Sequence, residues 1–508
     1  MTRASANLAH NLATTAQDHP DARAVILDDM VLTYADVEQS ARQLAGWLRA
    51  QGIGEGDRVA LMLPNVPAFP VLYYATLRLG AVVVPMNPLF KKREIQFYLE
   101  DSGASLLAAM PGDDAVVAAE ATGTQLLTVG PEGLSAYVHG AEATDPVEEI
   151  VERAADDTAV ILYTSGTTGR PKGAELTCDN LQTNQLATTE TLLHLDSSDV
   201  VMGCLPLFHV FGMTCGMNTA FATGAALTMI PRFDPAKALQ VIERDKVTVF
   251  EGVPTMYGAM LAAARAAEQA PDLSTLRTAV SGGASLPLEV MKTFEDTFGA
   301  TILEGYGLSE TSPVASFNHP DVERKAGSIG IPIRGVELKL AGPDGAEVGS
   351  STADDPQIGE ICIRGENIMK GYWQRPDATA EAIDDDGWFH SGDLARRDED
   401  GYYFIVDRKK DMIIRGGLNI YPREIEELLY EHPAVAEAAV VGVPHEELGE
   451  EVAAYVVLAP DARATEEELI QHVKDQVAPY KYPRTVTVIE ELPKGATGKI
   501  LKRELRGD

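Results

Sequence analysis

The sequence predicts an α/β protein: a large N-terminal region of doubly wound, mostly parallel sheets with a small β region, then a small α+β unit at the C-terminus. Three observations carry this. Short apolar runs of strand length alternate with amphipathic helical stretches through most of the chain. From about Glu337 the texture changes to short strands separated by Asp-Gly turns. Past Asp407 a separate helix and strand pattern begins. A chain of 508 residues has ample material for such cores.

The elements follow in order. Thr33, Asp36 and the apolar stripe Val37, Ala41, Leu44 and Leu48 predict a capped helix ending near Gly52. A strand at Arg58 to Leu63, a helix from Pro67 to Leu79 and a strand at Ala81 to Pro85 then form a crossover long enough for parallel pairing. Ala159 to Tyr163, Val247 to Phe250, Thr278 to Val280 and Thr301 to Leu303 read as further strands, again between helical stretches. Pro343-Asp344-Gly345, Asp386-Gly387 and Asp400-Gly401 punctuate the antiparallel region. In the last unit Pro422 opens a helix, strands lie at Ala438 to Val443 and Val452 to Leu458, and Thr465 with Glu468 caps a helix to Val477.

Composition removes several function classes. A hydrophobic content of 45% with no apolar run of membrane-spanning length argues for a soluble chain without a transmembrane segment. Met1 to Gln17 lacks the continuous apolar core of a secretory signal, which makes a cytoplasmic location the expectation. A net charge of -34 disfavours nucleic acid and anionic membranes as partners. Cys178, Cys204, Cys215 and Cys362 have no paired spacing, so buried thiols are expected rather than disulfides or a zinc site. No signal for oligomeric state is present.

The chemistry concentrates in three glycine-rich segments after predicted strands. Thr164 to Gly173 packs three glycines, four hydroxyls and Lys172 into ten residues, a composition suited to cradling phosphates. It is not a Walker A loop, because Gly173 rather than Ser or Thr follows Lys172. Ser281-Gly282-Gly283-Ala284 and Glu304 to Thr311 read as two more turns, and loops following parallel strands share one sheet edge, where ligands bind. Tyr306 can stack on a base, Ser309 and Thr311 can reach a phosphate, and Glu310 offers the hard oxygen that Mg2+ prefers.

The run Ile161 to Lys172 resembles the AMP-binding signature of the adenylate-forming superfamily of acyl-CoA synthetases, luciferases and peptide-synthetase adenylation domains. The later landmarks Gly305 to Thr311, His390-Ser-Gly-Asp393, Asp407 to Asp411 and Pro493 to Lys499 occur in that family's order, closest to the fatty-acid–CoA ligases. The resemblance implies residues 1–409 as an AMP- and acyl-binding domain and 410–508 as a mobile domain carrying the adenylating lysine. It implies ATP, coenzyme A and a small carboxylic acid as reactants, with Mg2+ as cofactor. Thr164, Ser165, Gly166, Thr167, Thr168, Gly169 and Lys172 would hold the phosphates, and Gly283, Ala284, Tyr306 and Gly307 would line the adenine site. Ser309 would bind the α-phosphate, Glu310 the metal, and Asp393 and Arg408 the ribose. Lys499 would act in adenylation, Lys410 would be the hinge, and Arg415, Gly416 and Gly417 would face the coenzyme A tunnel.

His209, in Pro206-Leu-Phe-His-Val-Phe-Gly212, resembles the family's histidine beside the acid carboxylate. The segments around Gly212 to Met217, Gly252 to Met256 and Ser281 to Ala284 offer no Arg for a second carboxylate, so a medium-to-long fatty acid is expected and an aryl acid of the cinnamate type is the runner-up. An enzyme loading a separate carrier protein, a luciferase-like monooxygenase and a non-catalytic binding protein are the other readings.

Overall fold

A computed structural model describes residues 7–130, 134–139, 143–164, 170–352, 355, 357–460, 462–495 and 498–506. Two large sheets face each other. The seven-stranded sheet runs, from one edge to the other, through Gly371–Tyr372, Lys172–Thr177, Thr158–Thr164, Val82–Pro85, Arg58–Met62, Leu106–Ala109 and Gln125–Thr128. Its last five strands are parallel, and the two nearest Gly371 pair antiparallel. The nine-stranded sheet has a parallel centre formed by Thr301–Gly307, Thr278–Ser281, Val249–Gly252, Val200–Gly203, Ala226–Met229 and Arg23–Leu27. Antiparallel strands close both of its edges.

One apolar core lies between the sheets and includes Val83, Leu162, Val249, Val280 and Leu303. Separate clusters cover the outer face of each sheet, as a doubly wound architecture requires. A four-stranded antiparallel sheet, Val336–Ala341, Gly359–Gly365, Phe389–Arg397 and Tyr403–Arg408, follows. The last unit has its own five-stranded sheet and its own core around Ile413, Ile425, Val440, Val452 and Leu469.

Helix signals in the sequence locate the helices well. Thr33 and Asp36 form the expected reciprocal cap on helix Tyr34–Ala50, and Thr465 with Glu468 does the same for Glu466–Lys474. All four cysteines are buried free thiols. No described helix is long and apolar enough to cross a membrane.

Two expectations are corrected. The glycine-rich segments do not follow strands of one sheet: Thr164 ends a strand of the seven-stranded sheet, whereas Ser281 and Glu304 belong to the nine-stranded one. The Thr158–Thr164 strand also pairs antiparallel with the next strand in sequence, Lys172–Thr177. Second, Glu304 to Gly307 is not a turn. The strand continues to Gly307 and changes partner, leaving Thr278–Ser281 to pair antiparallel with Val314–Phe317. The glycines serve close approach there: a Cβ at Gly305 would overlap the Phe317 ring, and one at Gly307 the Pro313 carbonyl.

Candidate active site

Several of the expected site residues fall into two groups near the ends of these strands. The first surrounds Glu310, in the single 3₁₀ turn Ser309–Thr311 that ends the Thr301–Gly307 strand. Its Oε1 accepts from the Tyr372 hydroxyl at 2.9 Å and from Thr164 Oγ1 at 3.4 Å, which ties the two sheets together. The Lys172 ammonium lies 5.1 Å from the centre of the Tyr372 ring. Burial holds the Glu310 carboxyl above the usual carboxylate range, partly offset by its hydrogen bonds from backbone, Tyr372 and Thr164. Ser165, Gly166, Thr167, Thr168 and Gly169 lie outside the described residues, and Thr164 and Lys172 lie on either side of them in the sequence.

The second group lies where the four-stranded sheet meets the small C-terminal unit. Asp393 and Arg408 are cross-strand partners, 3.5 Å apart at Oδ1 and Nε. The Tyr306 hydroxyl donates to the other Asp393 oxygen at 2.6 Å. Tyr306 is thus fixed by its hydroxyl, while its ring packs against the main core. Gly283, at φ +79°, and Ala284 are exposed just past the neighbouring strand.

Lys499 enters this second group from the small unit. The loop that carries it rests on the Val249–Gly252 strand's exit: Thr255 Oγ1 donates to the Gly498 carbonyl at 3.2 Å, and a Cβ at Gly498 would lie 3.0 Å from the Val253 side chain. Burial pushes the Lys499 ammonium down to about 7, and Arg408 and Lys410 push the same way against Asp393 and Asp411. The ammonium is also close enough to His209 to act on it. Burial, and then the Lys499 charge, lower that imidazole to about 4. His209 is therefore neutral at pH 7, and its Nδ1 accepts the Phe211 N–H at 3.3 Å, which leaves Nε2 as the donor.

Lys410 is two residues past the strand that ends at Arg408, and partial desolvation and then the Arg408 charge hold its ammonium below the usual lysine range. Among the described residues, Arg415, Gly416 and Gly417 make no hydrogen bond to the other expected site residues. They form a tight hairpin between Ile413–Arg415 and Leu418–Ile420, with both glycines at positive φ, +58° and +82°. Arg415 pairs with Glu451 through two bonds of 2.6 and 3.0 Å, within the small unit.

Sequence reasoning missed Tyr372, which sits 62 residues from the Glu310 it supports and belongs to none of the motifs. It also missed Glu251, a fully buried acid in the Val249–Gly252 strand that leads to the helix bearing Thr255.

A family model described as "AMP-binding enzyme" matches residues 12–373, and one described as "AMP-binding enzyme C-terminal domain" matches 424–499. The chain belongs to the AMP-binding enzyme family. A feruloyl-CoA synthase of an Amycolatopsis species is 41% identical, over 97% of this chain and 96% of that protein. A long-chain-fatty-acid–CoA ligase of Bacillus subtilis is 37% identical over 97% and 93%. The ATP-bound crystal structure of MatB from Rhodopseudomonas palustris superposes with a TM-score of 0.91 at 34% identity, covering 99% of this chain and 98% of that one. This AMP-binding enzyme is an AMP-forming acid–CoA ligase whose small molecules are a carboxylic acid, ATP and coenzyme A, with Mg2+.

The donor set fits that metal. Among the described residues no cluster of three His, Cys, Asp or Glu could hold an ion alone. Glu310 instead presents one oriented carboxylate, as suits a cation that keeps its waters and shares substrate phosphates.

Proposed function

We propose that the enzyme activates a monocarboxylic acid with an extended apolar body, a medium-to-long fatty acid first, in two half-reactions at this one cleft. The single observation that supports the adenylating role is the position of Lys499: its buried ammonium feels Arg408, Lys410, Asp393 and Asp411, and acts in turn on neutral His209. The acid carboxylate attacks the α-phosphorus, a carbon-bound oxygen joins phosphorus, and the bond to pyrophosphate breaks. Two anions must meet for this, so positive charge and fixed donors carry the barrier reduction. When bound, Mg2+ neutralises phosphate charge, and Glu310 is the residue we assign to hold it.

In this reading Thr164 to Lys172 enclose the β- and γ-phosphates, and Ser309 reaches the α-phosphate. Tyr306, Gly307, Gly283 and Ala284 border the base, and Asp393 and Arg408 the ribose. His209 donates from Nε2 to the acid carboxylate. The coenzyme A sulfur then attacks the acyl carbon and AMP leaves. For that step residues 410–508 turn about Lys410, withdrawing Lys499 and bringing the Arg415 to Gly417 hairpin to the cleft. A cytoplasmic location suits these co-substrates.

An apolar body follows from the absence of Lys and Arg in 212–217, 252–256 and 281–284. The fatty-acid reading is tested with purified protein, ATP, Mg2+, coenzyme A and a panel of acids, with acyl-CoA and AMP measured together. Each buried methylene should add about 0.8 kcal/mol of transition-state binding until the pocket is filled. Acids of C8 to C16 should therefore exceed acetate and malonate by orders of magnitude in kcat/KM, and the reading falls if they do not. The second reading, an aryl acid, draws support from the feruloyl-CoA synthase relative and from one polar group in the pocket wall.

A further inference from the structure

That polar group is Glu251. It lies in the Val249–Gly252 strand at 1% exposure, and its Oε1 has no hydrogen-bond partner. A buried carboxyl with an unpaired oxygen costs stability and persists only where something repays it. Its strand neighbours Val249 and Val280 face the core between the two sheets, so Glu251 points the same way. On that side it meets the helical segment Phe211–Asn218, which is wound as a π-helix, a rare form concentrated at functional sites. Gly216 of that segment leaves the space: a Cβ there would stand 3.1 Å from Glu251 Oε2. A second buried group without a partner, the Thr214 hydroxyl, lies on the same segment.

Two paths lead from the reacting end to Glu251. The π-helical segment starts two residues after His209, whose imidazole the Lys499 charge reaches, and Gly216 lies further along it. The strand gives the second: Val253 touches the Gly498 loop, and two extended residues below it, roughly 7 Å, lies Glu251. Both lead from the reacting end down to the carboxyl, and Gly216 is the residue that faces it.

We propose that Glu251 is the specificity-determining residue of the acyl pocket, and that it selects acids bearing a hydroxyl in the distal part of the apolar body. This rests on the ligase reading and deepens it. A hydroxyl both donates and accepts, so it can pair with the carboxyl in either protonation state; burial lifts Glu251 to about 8, which keeps it protonated at neutral pH. An alkyl or unsubstituted aryl tail leaves Oε1 unpaired in the complex, and sites built around a buried polar group discriminate strongly against ligands that lack its partner. The para-hydroxyl of a phenylpropenoate and the terminal hydroxyl of a medium-chain ω-hydroxy acid are the aromatic and aliphatic forms of this chemistry.

The test is a set of matched pairs, 4-hydroxycinnamate against cinnamate and 8-hydroxyoctanoate against octanoate, with wild type, Glu251→Gln and Glu251→Leu. Wild type should favour the hydroxylated member of at least one pair about tenfold or more in kcat/KM, and which pair shows it identifies the body. Glu251→Gln, which keeps the hydrogen bond, should retain the preference, and Glu251→Leu should abolish or reverse it. Equal rates within both pairs for wild type, or an unchanged preference in Glu251→Leu, overturn the proposal. If the leucine variant does not fold, the wild-type pairs decide alone. Pyrophosphate exchange run with every acid separates the two levels: exchange without hydroxyl preference sinks the role of Glu251 only, and no exchange with any acid sinks the ligase reading itself.

Discussion

At Lys499 the protein holds a cation whose proton is only half retained near neutral pH, since burial and two neighbouring cations bring it to about 7. The protonated form is the one that stabilises the developing charge. In the free enzyme, kcat/KM for ATP in adenylation should therefore fall as pH rises through about 7. The bound triphosphate restores the charge, so kcat should fall only at higher pH. Lys499→Ala should lack this alkaline limb and lose about 10²- to 10³-fold in pyrophosphate exchange, while still making thioester from supplied acyl adenylate. Equal loss in both assays would contradict the division of labour. Glu251 offers a stability test with a definite sign. Between the ordinary carboxylate value and about 8 the folded state keeps a proton that the unfolded state has released, so wild-type stability falls across that window as pH rises. Glu251→Gln lacks the term. Its melting temperature should match wild type near pH 5 and exceed it by several degrees at pH 8 and above. Lys499 was readable because its loop is a motif. Glu251 was not, because a lone acid in a β-branched run looks the same whether it faces water or a closed pocket.

Elements explain where reading the sequence stopped short. Caps and turn glycines act within a few residues, so helices such as Tyr34–Ala50 and turns such as Asp400-Gly401 could be placed directly. The pairing of Gly305 with Phe317 and the support of Glu310 by Tyr372 are set by strands distant in sequence, and glycine-rich composition alone suggested a turn. The same geometry yields a prediction. Gly307→Ala would force a methyl into the Pro313 carbonyl and push the turn bearing Ser309 and Glu310 out of place. It should cost about 1–3 kcal/mol in stability and weaken ATP binding measured by calorimetry. Gly258→Ala is the contrast: it lies inside helix Pro254–Ala266 with no atom within 4 Å of an added Cβ, and should stabilise by about 0.5–1 kcal/mol with binding unchanged.

At the scale of the whole chain, the small unit is docked on the large one. The Arg423 guanidinium donates to the Ile405 carbonyl at 2.8 Å, its backbone N–H donates to Asp407 at 3.1 Å, and the Gly498 carbonyl accepts from Thr255. If one small unit serves both half-reactions, these contacts break in every cycle and Lys410 takes up the backbone change. Lys410→Pro should fix one orientation: pyrophosphate exchange persists, and acyl transfer from supplied adenylate to coenzyme A drops sharply. Lys410→Ala should keep both. The contact of Gly498 with Val253 and Thr255 has a consequence for the order in which molecules come and go. In the proposed cycle the lysine loop, seated on Val253 and Thr255, would act as a stopper over the strand exit that leads down to Glu251, so that an acid below it could neither enter nor escape while the loop is seated. The acid must load before the stopper is set, its carboxylate is committed once ATP is in place, and the thiol waits outside until the stopper lifts. In a chase experiment, labelled acid bound with ATP should be converted rather than diluted by an excess of unlabelled acid.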